Sequence, residues 1–140
     1  MNCRASHTLR HAVAACATLL TCGAFAQPEA PISCANPTST LEINQCAMRE
    51  YKLRDRELNE AYKALTASLK PDGAGDDTDY SAVKAQLVAA QKAWVVFRDA
   101  DCGALRKYYE QGTIRTAMHV GCLIERTDQR TKELKAWRAQ

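Results

Sequence analysis

The chain carries seven cysteines in 140 residues, and their positions sort them by the chemistry open to them. Cys3, Cys16 and Cys22 lie in an N-terminal stretch that has no acidic residue, while Cys34, Cys46, Cys102 and Cys122 are spread through the rest. The second group contains no C-x-x-C pair, which removes the usual signals of a thiol oxidoreductase or a c-type haem site. It also lacks the closely spaced ligand pairs of structural zinc modules. Four thiols in an oxidising compartment therefore point to two disulfides. His119 is the one histidine beyond residue 26, which leaves little material for a histidine metal site or a Ser-His-Asp triad. We expect no catalytic residue, no cofactor and no metal ion.

Two polar groups remain. Asp55 and Asn59 are four residues apart, the spacing that shares one helix face, and Arg98 and Arg130 are cations able to meet them. Such a cluster inside apolar seams reads as a structural motif, a buried Asp–Arg pair that fixes helix register. Asp72, Asp76, Asp77 and Asp79 fall within eight residues. They lack the D-x-[DN]-x-[DN]-G order of a calcium loop. As a local negative patch they are candidates for contact with a basic protein.

The elements that position these residues follow from composition and pattern. Arg4 and Arg10, the apolar run 12–20 and the Ala24-Phe25-Ala26 site have the three-part order of a secretory signal peptide over residues 1–26. The run is too short to span a bilayer. Cys22, preceded by Leu19-Leu20-Thr21, is a poorer match to a lipidation site. Removing residues 1–26 takes two arginines and no acid, which lowers the formal charge from +3 to +1. A near-neutral chain has no global field for nucleic acid or anionic lipid, so neither nucleic-acid binding nor membrane insertion after cleavage is expected. The product is expected in the periplasm or the medium.

Residues 27–38, with Pro28, Pro31 and Pro37, read as an extended arm, and residues 39–140 as one helical domain. Ser39 and Glu42 form a capping box sequence, and no Gly or Pro follows until Pro71. Ala47, Tyr51, Leu58, Tyr62, Leu65 and Leu69 make one apolar stripe. A second helix is expected from about Tyr80 to Glu110, with Val83, Leu87, Ala90, Trp94, Phe97, Asp101, Ala104 and Tyr108 as its seam at alternating steps of four and three. A third should run from around Thr116, with Val120, Leu123, Thr127, Leu134 and Trp137 inward. The fold class is all-α, a small antiparallel three-helix bundle stapled by two disulfides.

Four cysteines allow three connectivities. Cys102 and Cys122 lie ten residues on either side of Gly112, so a hairpin there sets them at one height. Gly103 and Gly121 beside them would allow close backbone approach. Cys34 precedes the first cap and Cys46 lies about two turns inside the helix. The layout thus favours Cys34–Cys46 and Cys102–Cys122.

The ordered set Cys46, Asp55, Leu58-Asn59, Tyr62, then Ala90-Gln91, Trp94, Phe97-Arg98-Asp99, Cys102, and finally Cys122, Thr127, Arg130 and Leu134 resembles the lysozyme inhibitor LprI-type family of exported bacterial proteins. The resemblance spans about Cys34 to Leu134 and implies a helical, disulfide-containing binding protein of the cell envelope that inhibits lysozyme without chemistry of its own. The alternative is a periplasmic structural or adaptor module with a different protein partner.

Overall fold

The computed structural model describes residues 32–71 and 73–137. The expected leader, the first part of the arm and Asp72 lie outside the described residues. Three helices account for the domain: α1 Thr40–Ser68, α2 Tyr80–Tyr108 and α3 Arg115–Trp137.

The first two helices start where local chemistry supplies orphan N–H groups with acceptors. Ser39 Oγ accepts from the Glu42 backbone N–H, and the Glu42 carboxylate accepts from the Ser39 and Thr38 N–H groups, completing the capping box. Asp79 caps α2 by accepting from Ala82 N–H at 3.0 Å. The break between α1 and α2 turns at Gly75, whose φ of +94° lies in the left-handed region that glycine enters without steric cost. Arg106 and Lys107 in the last turn of α2 complement its C-terminal dipole.

α3 is the central helix: it packs along both α1 and α2. It runs antiparallel to α2, since Cys102 meets Cys122, Asp101 meets Arg126 and Gln91 meets Arg130. An apolar cluster of Leu58, Ala61, Leu65, Leu87 and Leu134 joins all three helices toward the 69–79 loop, with Tyr62, Leu69 and Trp94 packed against it.

The α1 stripe is buried or half-buried throughout, as its spacing predicts. The α2 seam is not. Leu87 and Trp94 face inward, but Phe97 is 55% exposed and Tyr108 81% exposed. The inward positions are Leu87, Gln91, Trp94, Arg98, Cys102 and Leu105, at steps of 4, 3, 4, 4 and 3. That is the eleven-residue period of a nearly straight helix, whereas the expected seam had the seven-residue period of a left-handed supercoil. The two patterns coincide at Leu87 and Trp94 and differ by one residue between and beyond them. The expected Ala90, Phe97 and Ala104 are exposed and Asp101 is only half-buried, while Gln91, Arg98, Cys102 and Leu105 take the inward places. Trp137, also expected inside, is 45% exposed, because Leu134 takes the inward place in the last turn of α3. Thr131 is buried in its stead, donating its hydroxyl to the Thr127 carbonyl.

Both expected disulfides form, with Cα–Cα distances of 5.6 Å for Cys34–Cys46 and 5.5 Å for Cys102–Cys122. Gly103 and Gly121 are not what allows the second. A Cβ added to either glycine would meet nothing within 4 Å.

Candidate functional site

The polar residues singled out in the sequence meet in a layer halfway along the bundle. Arg98 is buried, and its Nε and Nη2 both reach Asp99 Oδ1 at 2.9 Å. Its guanidinium carbon lies 5.1 Å from the Trp94 ring centroid and 5.7 Å from that of Tyr51, within cation–π range of both. Asp55 stands further off, 3.7 Å from Arg98 Nη1, and its side chain is 42% exposed. The expected buried Asp–Arg pair is therefore a buried arginine between aromatic rings with two solvent-facing carboxylates at its edge. The reason is position: Asp55 sits at the margin of α1's apolar stripe, where water still reaches it. Asn59 donates to the Asp55 carbonyl at 2.8 Å and to its carboxylate at 3.2 Å, which holds that side chain in place.

Burial pushes the Tyr51 phenol above its ordinary range; the positive charge of Arg98 opposes the shift, and Asp55 and Asp99 add to it. Arg130 touches the same layer from α3. Its Nε donates to Gln91 at 3.1 Å, its Nη1 to Glu133 at 3.0 Å, and its guanidinium lies 6.0 Å from the Trp94 centroid. Trp94 is thus flanked by cations from two helices. Arg54, a polar gap in the α1 stripe, ties α1 to α3. It pairs with Glu50 and Glu57 on its own helix and lies 3.5 Å from Asp128. Hydrogen bonds to Glu50 and the Asp128 charge push its already high pKa further up. The i, i±3/4 spacing to Glu50 and Glu57 is visible in the sequence; the link to Asp128 needs the helix packing.

Each of these cations faces a carboxylate, and Arg98 and Arg130 a ring as well, so none of the three arginines is left without a partner in this layer. His119 is also spent structurally: its Nδ1–H donates to the Cys102 carbonyl at 3.0 Å, since a carbonyl can only accept. Asp101, Cys102 and Cys122 place three ligand-type atoms within 4.8 Å of one another. They do not fit a metal ion here, because both sulfurs are joined to each other and Asp101 is bound to Arg126 at 2.9 Å.

The surface offers three further features. A groove of about 620 Å³ runs beside the Cys102–Cys122 bond, with Tyr108, Met118, Glu125 and Arg126 among its walls. One of about 330 Å³ lies between α2 and α3 near Leu87, Leu134 and Trp137. The third is the 69–79 loop. Asp77 and Asp79 there are exposed, and Asp76 is half-buried. Asp76 accepts from Thr78 N–H and from the Tyr80 hydroxyl, so it and the capping Asp79 have roles within the loop.

The chain is similar in sequence and in fold to known proteins. A sequence profile for the family described as lysozyme inhibitor LprI matches residues 34–134. The span takes in both disulfides, the polar layer and nearly all of the three helices. An uncharacterised protein of Rhizobium meliloti (strain 1021) is 34% identical over 131 residues, covering 91% of this chain and 94% of the relative. Among solved structures, a DUF1311-family protein of Pseudomonas putida KT2440 superposes with a TM-score of 0.59 at 27% identity, covering 71% of this chain and 93% of that one. Matched from the first paired cysteine to the last core leucine, with both staples and the buried arginine inside the match, this chain belongs to the lysozyme inhibitor LprI family.

Proposed function

We propose that this protein is exported through its N-terminal 26 residues and inhibits a lysozyme by binding it. The observation that carries this reading is the family match over residues 34–134, which includes every paired cysteine. Two disulfides suit an oxidising compartment outside the cytoplasm. Among the described residues no helix is long and apolar enough to cross a membrane.

Inhibition of this kind needs no reaction on the inhibitor. A rigid body that fills the sugar-binding cleft of the enzyme excludes substrate, and pre-organisation limits the entropy lost on binding. The 69–79 loop is the part we assign to contact. It stands at one end of the bundle, with exposed Asp77 and Asp79 on a turn bounded by Pro71 and the α2 cap. Lysozymes that attack bacteria are basic, and a carboxylate cluster speeds encounter with such a partner.

The test is a cell-wall lysis assay with the purified chain at near-stoichiometric ratio to a basic lysozyme. Replacing Asp72, Asp76, Asp77 and Asp79 by Asn removes charge while leaving oxygen acceptors for Thr78 and Ala82. We expect the wild type to slow lysis, with association that weakens as salt rises, and the Asn variant to bind more slowly. Lysis that proceeds undiminished at stoichiometric wild type overturns the inhibitor reading and favours an adaptor module. Equal inhibition by the Asn variant moves the contact away from the loop.

A further inference from the structure

The α2 helix has two apolar faces and uses one. Its inward stripe packs on α3 and carries Arg98 and Cys102. On the outside, Ala82, Gln86, Ala89, Ala93, Val96 and Ala100 follow one another at steps of 4, 3, 4, 3 and 4, and all are exposed. None of these six carries a charge; Lys107, two steps beyond Ala100 on the same line, does. Beside them stand Phe97 and Tyr108, so the face is not merely small: Val96 is 70% exposed, and the two aromatic residues show more than half of their surface. An apolar patch of this extent on a monomer marks an interaction surface.

The period selects the occupant's shape. Steps of three and four repeat every seven residues, the spacing at which two helices pack side by side over several turns. The distribution of size then selects its identity. The large side chains of the face, Val96, Phe97 and Tyr108, lie in the C-terminal half of α2; the N-terminal half presents Ala82, Ala85, Ala89 and Ala93. A second α2 laid antiparallel sets the large half against the small half. With a two-fold axis between Trp94 and Val95, Val96 falls opposite the partner's Ala93, and Ala100 opposite the partner's Ala89. Tyr108 then lies near the height of the partner's Ala82. Small residues at the crossing let the backbones approach.

We infer that the outer face of α2 is the interface of an antiparallel two-fold dimer of this chain. The 29 residues of α2 make the contact about 43 Å long, and a helix face is roughly 10 Å wide. The two copies together bury at most roughly 900 Å², below the size of a standard specific interface, so the dimer is a weak one, and we expect a Kd on the order of 10–100 μM. This surface lies on α2 rather than on the 69–79 loop, and the dimer stands or falls independently of lysozyme binding.

Sedimentation equilibrium or light scattering on the disulfide-intact chain tests it. The average mass should rise toward twice the monomer value as concentration passes through tens of micromolar. The double variant Ala93→Glu, Val96→Glu brings four carboxylates together across the axis and should weaken association at least tenfold, with unchanged helical circular dichroism. Ala100→Arg alone, also on an exposed position, should weaken it as well and serves if the double variant folds poorly. Val88→Glu, on a different exposed face, should leave it unchanged. A wild-type chain that stays monomeric through this range overturns the inference, as does a dimer that none of the substitutions at Ala93, Val96 and Ala100 weakens. A monomer whose lysozyme binding is lost in the double variant assigns the face to the enzyme and equally overturns self-association.

Discussion

The two ends of the bundle are held by different forces. Toward the 69–79 loop, Leu58, Ala61, Leu65, Leu87 and Leu134 come together from all three helices, and neither disulfide reaches them. Toward the Gly112 turn the buried apolar side chains are fewer, with Val120 and Leu123 beside Cys102. Leu41, Ile43 and Met48 on the first turns of α1 remain exposed there. Both cross-links sit at that end, one tying α2 to α3 and the other tying the arm to α1. Covalent bonds thus stand where apolar burial is thin, which is how small exported domains make up for a limited core.

Breaking the cross-links should have the largest effect. In the chain-entropy model, closing separations of 20 and 12 residues contributes about 3 kcal/mol each. Their sum approaches the whole stability of a domain this size. Full reduction should therefore collapse the thermal transition seen by circular dichroism, and the Gly112 end should lose amide protection first. Leu65→Ala at the other end should cost about 2–5 kcal/mol in denaturant titration yet leave an oxidised, folded chain. If Leu65→Ala unfolds the oxidised protein while reduction is tolerated, the division of labour between the ends is the reverse of this account.

The polar layer between the ends gives a sharper test. Arg98 is buried against two rings, whereas Asp55 is half in water and 3.7 Å away. Asp55→Asn should cost less than about 1 kcal/mol, as exposed ion pairs do. Arg98→Ala should cost about 2 kcal/mol or more, through lost packing on Trp94 and Tyr51 as much as lost charge. A double-mutant cycle should show a coupling below about 1 kcal/mol. A coupling of several kcal/mol would restore the buried pair that the sequence pattern suggests.

Local signals in the sequence are legible where the physics is local. The Ser39–Glu42 cap, the break between Pro71 and Asp79 and the α1 stripe depend on neighbours within a few residues, and each reads correctly. Cys102–Cys122 is legible because Gly112 converts sequence distance into height along a hairpin, and Cys34–Cys46 because one cysteine precedes the first cap and the other lies about two turns inside the helix. Along α2 the reading fails at Ala90 and from Phe97 onward, where a seven-residue and an eleven-residue period differ by a single position. Both fit the sequence, because α2 is apolar on both faces; only its packing on α3 decides which face turns inward. Asp55 likewise has the right spacing to meet Asn59, but its depth depends on the width of the groove between helices. Gly103 and Gly121 invite a steric explanation that the open space around them does not support.

The smallest effect expected belongs to the knot beside the first staple. The Glu42 carboxylate accepts from Thr38 N–H at 2.6 Å, from Thr38 Oγ1 at 3.0 Å and from Ser39 N–H at 3.1 Å. The Thr38 N–H contributes most to lowering its pKa below the ordinary 4.5, followed by the Thr38 hydroxyl and the Ser39 N–H. A carboxyl group whose folded value is depressed binds its proton less readily than in the unfolded chain, so its contribution is fully present above 4.5 and is lost as pH falls through the folded value. The melting temperatures of wild type and Glu42→Gln should therefore differ by a constant amount at neutral pH and converge in acid. Because the knot lies at the surface, where water screens it, the difference should be small and should shrink further as salt is added. The Cys34–Cys46 bond already holds the same arm, so the knot should matter more in a Cys34→Ser, Cys46→Ser background than in the oxidised chain. Equal effects in both backgrounds would mean that cap and staple act on the arm separately.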